Sequence, residues 1–292
     1  MYNLEQLRML VVAAELGSFS ACARKLNKVQ SAVSQGIANL EIDLNILLFD
    51  RRSRKPKLTK EGERIYNYAK AVLHQSMELD KVVESVHNNE EATIKLVVDS
   101  ALQLSSVNRI LEKFSLNFPH TQVELLTLAS TDILKHLSAS DIDLGIMFAD
   151  LSFNLDVELC FIGNIEFYPV CHPASALSSL TSVTVKDLVP HRQISLRGEQ
   201  GSELQQFISL SNQTWWCNDF GSILSLVEQN IGWSYLPSHM VEKKIKANQL
   251  KKIDVSFDHK TWSFTVDLVS KKGISKGPAL TWLFNELKSV IS

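Results

Sequence analysis

The sequence is poor in the devices that most chemistry requires. Its four cysteines, at 22, 160, 171 and 217, form no C-x-x-C pair, which argues against a disulfide scaffold and for reduced thiols in a cytosol. No Gly-rich phosphate loop, no H-E-x-x-H and no G-x-S-x-G is present, so the commonest nucleotide-binding, zinc-protease and serine-hydrolase signatures are missing. The eight histidines are scattered; His136, His172 and His191 read as surface or structural residues, and neither a metal nor a cofactor is expected. No run approaches the roughly 20 apolar residues of a membrane span. Met1-Tyr2-Asn3-Leu4-Glu5 also lacks the cationic start of an export signal. A cytoplasmic protein without a membrane partner is expected, and an exported transport receptor is not.

What charge there is lies unevenly. The chain of 292 residues carries a net charge of -2, yet residues 1–62 hold ten Lys or Arg against six Asp or Glu, a surplus of four that leaves -6 for the remainder. A basic head on an acidic body suits a nucleic-acid-binding module joined to one with another task, and the length allows two or three units.

Within the basic head, Phe19, Cys22, Ala23 and Leu26 fall on one face of a short helix, with Cys22 expected inside. Asn27-Lys28-Val29 breaks it. Residues 30–41 then place Val33, Ile37 and Leu40 at helical spacing, leaving Gln30, Ser31, Ser34 and Gln35 outward. A short, polar, uncharged face suits the base edges of a major groove, where Gln pairs with adenine and Ser is permissive. Five cations follow within residues 48–59: Arg51, Arg52, Arg54, Lys55 and Lys57. Bounded by apolar ends and turned at Pro56, this segment reads as a wing gripping phosphates.

The segment resembles the N-terminal domain of LysR-type transcriptional regulators. The opening amphipathic helix (Leu4, Leu7, Leu10, Val11, Ala14), Gly17-Ser18-Phe19, Gln30-Ser31-Ala32-Val33-Ser34, Leu48-Phe49-x-Arg51 and Leu58-Thr59-x-x-Gly62 carry the resemblance. It implies that Gln30, Ser31 and Ser34 approach bases while Arg51, Arg52 and the wing cations hold backbone. Three departures stand out. Val29 occupies a place usually held by a helix-capping Ser and cannot accept from the free N–H groups, so Asn27 or Ser31 is expected to substitute and shift the helix start. Gln35 stands where an Arg is common. Gly36 replaces a long polar residue, at a cost of ~1 kcal/mol relative to Ala.

Residues 59–88 should form one long helix. Ile65, Ala69, Val72, Ser76, Leu79, Val83 and Val86 recur with a 3.5-residue period, which asks for a second helix; docking on its own domain fits nearly as well. The resemblance implies pairing between subunits, giving a dimer suited to a two-fold DNA site, and assembly into a homotetramer. Asn88-Asn89-Glu90-Glu91 reads as a hinge.

Beyond the hinge, strand-like runs at 94–98, 123–128 and 144–147 alternate with helical stretches at 104–117 and 131–137. A second alternating set follows: 167–171, 193–196, 204–210, 214–217, 222–229 and 233–236. A strand at 262–269 and a helix at 279–290 close the chain. Such alternation implies βαβ units and a largely parallel sheet. The fold class expected is therefore α/β: a winged helix-turn-helix (1–58), a linker helix (59–90), and a two-lobed body resembling a periplasmic binding protein (91–292). Lobe I would span about 91–162 and 267–292, and lobe II about 163–266.

In such folds ligands bind beyond the carboxyl ends of strands, near helix N-termini. The candidates there are Asp99, Ser100, Ala101, Ser130, Thr131, Arg197, Gln200, Gly201, Asn218 and Asp219. Asp99 at a cleft centre would disfavour an anionic effector and favour an amine or hydroxyl, unless Arg197 neutralises it. Trp215 and Trp216 must point to opposite faces of a strand, one into the core and the other free to wall a pocket. The reading is a regulator that binds double-stranded promoter DNA and a small-molecule effector, with RNA polymerase the further partner a promoter-bound protein implies. The alternatives are a thiol-based redox regulator of the same family, acting through Cys160, Cys171 or Cys217, and an α/β enzyme.

Overall fold

A computed structural model describes residues 1–50, 55–139, 141–150, 157–204, 206–273 and 276–291. The chain divides into two compact units, residues 1–87 and 88–292.

In the first unit, α1 (Leu4–Leu16) starts at a capping box in which Asn3 and Gln6 exchange backbone-to-side-chain bonds of 2.8 and 3.0 Å. Together these satisfy two N–H groups that a helix start leaves open. Helix α2 (Phe19–Lys25) is capped by Ser18, and α3 (Gln30–Leu44) follows after a turn. A two-residue ribbon, β1 (Phe49–Asp50) with β2 (Lys57–Leu58), forms the base of the wing and leads into the 28-residue α4 (Lys60–His87). Leu10, Cys22, Val33, Ile37, Leu40 and Leu48 are fully buried between the helices. The buried Glu41 ties α3 to the wing by accepting from the Leu48 and Phe49 N–H groups at 2.8 and 3.2 Å.

Three expectations change here. The start of α3 does not shift: Val29 itself is the cap residue, in extended conformation and with no side-chain bond, so neither Asn27 nor Ser31 substitutes. Gly36 lies against the helix core, where a Cβ would meet the end of the flexible Met9 side chain and oblige that side chain to shift. The heptad seam is split. Ile65 and Ala69 pack on the unit's own core beside Tyr66 and Leu73. Tyr68, Val72, Leu79, Val83 and Val86 lie exposed along α4, Leu79 at 61% and Val86 at 65%.

The second unit is built on one mixed sheet in the order β4-β3-β5-β11-β6-β9-β7-β8. Lobe I contains β3 (Thr93–Val98), α5 (Ser105–Asn117), β4 (Gln122–Thr127), α6 (Ser130–Ser138) and β5 (Leu144–Phe148). The 15-residue β6 (Val157–Cys171) crosses to lobe II. That lobe holds α7 (Val185–Leu188), β7 (Gln193–Leu196), β8 (Thr214–Cys217), α8 (Phe220–Glu228), β9 (Trp233–Pro237), α9 (Ser238–Lys246) and β10 (Lys251–Lys252). The chain returns along β11 (Trp262–Lys271) and ends in α10 (Pro278–Leu287).

Parallel pairing is confined to the two wings of the sheet, β4-β3-β5 and β9-β7-β8. The centre, where β11 and β6 run antiparallel, is the only double crossing of the described sheet. Its register slips between Val266 and Asp267, where Ile162 is skipped; such a bulge bends and twists a ribbon. Glu91, read as part of a hinge, instead caps α10 by accepting from the Ala279 and Leu280 N–H groups at 3.1 and 3.3 Å. Residues 204 and 206–210 are not helical, because Phe207 and its neighbours are drawn into contacts between the lobes. Neither Trp215 nor Trp216 is core: β8 is an edge strand, and each indole lies under a guanidinium, Arg192 at 4.2 Å and Arg197 at 3.5 Å.

Candidate nucleic-acid interface and inter-lobe cleft

The first turn of α3 presents Gln30 and Ser31 to solvent, with Gln35 exposed one turn on and Ser34 half-buried. Gln30 is held from behind, its Oε1 accepting from the Ser20 hydroxyl at 2.9 Å. Gln35 donates to Asn39 along the same face at 2.7 Å. Val29 makes no side-chain bond to the N–H groups that open α3, and uncapped helix starts of this kind suit anions. Lys55 and Lys57 are exposed at the wing base, Lys57 opposite Asp50 in the ribbon. Arg51, Arg52 and Arg54 lie outside the described residues. The turn cation Lys28 is matched by an ion pair with Glu5.

In the second unit the structure gathers most of the expected cleft residues but gives several of them structural duties. Asp99 is fully buried and both its oxygens are taken: one accepts from the Ala101 N–H at 3.0 Å, the other from the Ser130 N–H and hydroxyl at 2.9 and 2.6 Å. It joins the end of β3 to the start of α6 and, fully buried, faces these groups rather than the open cleft. Burial pushes its carboxyl up to about 6, against the opposing pull of the Ser130 and Ala101 bonds. Ser130 and Ala101 are buried with it, and the Ser130 hydroxyl also accepts from the Phe148 N–H at 2.9 Å. Asp219 caps α8 through the Ser222 N–H at 2.8 Å, and Asn218 is exposed beside it. Arg197 is committed to Glu203 and to the Trp216 ring, with the exposed Gly201 near its stem. The side chain of Gln200 lies outside the described set.

The lobes are fastened across the cleft. Ser100 accepts from the Phe220 N–H at 2.8 Å, so lobe I caps the start of α8. Asp132 of α6, 2% exposed, accepts from the Glu199 N–H at 2.7 Å and from the Ser202 hydroxyl at 3.2 Å. Gln206 donates to the Ala149 carbonyl at 3.1 Å. Gly198 sits where any Cβ would meet Thr131, Asp132 and Ser202, and the Thr131 hydroxyl oxygen is buried there without a partner. Sequence reasoning missed Asp132 and Gln206. Nothing local marks them, since each acts on a residue at least 57 positions away.

A family profile described as a bacterial regulatory helix-turn-helix protein of the lysR family matches residues 4–63, and one described as the LysR substrate binding domain matches residues 87–292. The chain belongs to the LysR family of transcriptional regulators. It is 29% identical over 288 residues to the HTH-type transcriptional regulator AceR of Acinetobacter baumannii, covering 98% of this chain and 97% of that one. The crystal structure of CbnR, a LysR family transcriptional regulator, has the same fold, with a TM-score of 0.56, 17% identity and coverage of 98% and 99%. Full-length CbnR in complex with its target DNA gives a TM-score of 0.51 at 16% identity, with 99% of each chain covered. This LysR-type protein is thus a DNA-binding regulator with an effector-binding domain, and its relatives are regulators rather than enzymes.

Cys171 and Cys217 give no support to the redox alternative. Cys22 and Cys171 are buried. Burial raises the Cys22 and Cys217 thiols, and pushes that of Cys171 up to about 11, the opposite of what a reactive thiolate needs. Among the described residues no three His, Cys, Asp or Glu gather as a metal site, and no helix is long and apolar enough to cross a membrane.

Proposed function

We propose that this regulator acts as a homo-oligomer in the cytoplasm, reading a pseudo-palindromic promoter site. The exposed, uncharged first turn of α3 carries the reading, with Gln30, Ser31, Ser34 and Gln35 at base edges and Lys55 and Lys57 on phosphates. Arg51, Arg52 and Arg54 belong by sequence to the same cationic segment and share the phosphate-binding role. The apolar stripe from Tyr68 to Val86 is the seam through which α4 pairs in a dimer, and two dimers form a tetramer. RNA polymerase is the partner that would receive the signal.

The effector enters between the lobes about a hinge at the Ile162 bulge, with lobe I taken as 91–162 and 267–292 and lobe II as 163–266. Ser100, Thr131, Arg197, Gln200, Gly201 and Asn218 border the opening, whereas Asp99, Ala101, Ser130 and Asp219 shape it from behind. Fluorescence anisotropy on the DNA upstream of the protein's own gene, against random duplex over a salt series, tests the DNA reading. Site-selective binding supports it, and equal weak binding to both duplexes refutes it. A metabolite screen on the same wild-type complex tests the effector reading, which fails if no compound changes DNA affinity.

A further inference from the structure

The cleft is filled by the protein's own aromatic rings. Phe148 ends β5 in lobe I, Phe167 and Phe264 lie on the crossing strands, and Phe220 opens α8 in lobe II; all four are buried. They already make a socket: Phe167 lies 4.7 Å from Phe264, 5.4 Å from Phe148 and 5.6 Å from Phe220, edge to face in each case. Phe207 belongs to no helix or strand, is only half-buried, and inserts among them. Its centroid is 4.6 Å from Phe264, 5.4 Å from Phe167, 5.7 Å from Phe148 and 5.9 Å from Phe220.

This ring is tethered by amides rather than by backbone pairing. Gln206 bonds Ala149 across the cleft. Behind it Gln193, 2% exposed, donates to the Ile208 carbonyl at 3.1 Å and accepts from the Leu210 N–H at 2.7 Å. Gln193, Phe207 and Phe220 also border a residual void of about 20 Å³, room for little more than one water.

We infer that Phe207 is an internal stopper standing in the effector's place, and that the effector is an uncharged aromatic compound carrying an amide-like donor and acceptor. The inference rests on the cleft reading above and names its ligand class. A ring that expels Phe207 inherits four aromatic walls. Swinging the 206–210 segment away strips Gln193 of one acceptor and one donor inside a buried site, a loss the incoming molecule must make good. An anion would lose its hydration among these rings, and Arg197, the cation expected at the cleft, is held by Glu203 and Trp216. Asp99 and Asp132 are likewise spent on backbone N–H groups.

The test uses the full-length protein and two probes of like shape, benzamide and benzoate, followed by titration calorimetry. Phe207→Ala is expected to bind benzamide at least tenfold more tightly than the wild type does, and at least tenfold more tightly than it binds benzoate. Gln206→Ala keeps the ring and removes only its tether; it should raise benzamide affinity about fivefold, so a folding defect in the first variant does not close the question. If neither variant gains affinity for either probe, the stopper is overturned, while the cleft reading still rests on the wild-type metabolite screen. If Phe207→Ala gains affinity but prefers benzoate, the stopper and the cleft stand and the uncharged class is overturned.

Discussion

Asp132→Ala should unfasten the lobes without unfolding either of them. The carboxylate, 2% exposed, accepts from the Glu199 N–H at 2.7 Å and the Ser202 hydroxyl at 3.2 Å, with Lys135 at 3.4 Å. A hydrogen bond to a charged acceptor contributes about 1.5–3 kcal/mol. Lys135 is more than half exposed, so its share is small after screening. Water enters when the clamp opens and recovers part of the rest, leaving a net of about 2 kcal/mol, or a factor near 30 in the open population. Amide hydrogen exchange reads this at the Phe220 N–H, whose acceptor across the cleft, Ser100, is kept in the variant and which is freed when the lobes part. Its exchange should quicken about 30-fold, while the amides of β7, which pair within lobe II, change severalfold at most. Gly198→Val, which forces a side chain against the same three residues, should reproduce the effect. Unchanged exchange at Phe220, or an equal loss of protection in β7, would refute the clamp.

Other perturbations separate the remaining roles. Gln30→Ala should cost ~1–3 kcal/mol on the cognate site and nothing on random DNA; equal loss on both in anisotropy sinks the base-reading role. Lys57→Ala should weaken binding to every sequence and lower the salt-dependence slope by about one, and an unchanged slope denies it a phosphate. Leu79→Glu, at an exposed position of α4, should shift sedimentation toward a smaller species while leaving the helical signal intact; an unaltered oligomer would place the seam elsewhere. The Asp99 carboxyl titrates at about 6 when folded, above its unfolded value, so the native state binds the extra proton. Stability then falls as pH rises from about 4 to 6, by up to about 3 kcal/mol. Asp99→Asn should flatten that slope in chemical unfolding, and an unchanged slope would assign it to other groups.

The winged helix was legible because its information is local. Val33, Ile37 and Leu40 announce a buried face within a few residues of one another, and the structure keeps them so. Periodicity could not say which apolar positions of α4 meet the protein's own core and which stay exposed. A 3.5 and a 3.6 repeat diverge too slowly to separate Ile65 and Ala69 from Leu79 and Val86. The cleft was least legible. Asp99 looked like a ligand because it ends a strand, but whether a carboxylate faces solvent or N–H groups is decided by a residue 31 positions away. Residues 204–210 have helical spacing, yet Phe207 finds four rings in a socket drawn from distant segments, and that burial overrides the local preference.

The stopper and the response to an effector must oppose each other in energy if the cleft is to signal. Phe207, half-buried among four rings, contributes about 1–2 kcal/mol to closure, and the Gln206 and Gln193 bonds about 1 kcal/mol each. A site closed by about 4–5 kcal/mol is open in about one molecule in a thousand or fewer, and the apparent effector affinity is weakened by the same factor. A bare ring would replace the aromatic part of that sum and leave Gln193 unsatisfied, so it would bind weakly. A ring with an amide replaces both. The same arithmetic bounds the output: the effector can alter promoter binding only by as much as the open and closed forms differ in their affinity for DNA. Asp132→Ala, which opens the lobes with no ligand present, should therefore move DNA affinity in the direction the effector does. An affinity shift of opposite sign would mean that opening the lobes is not the signal.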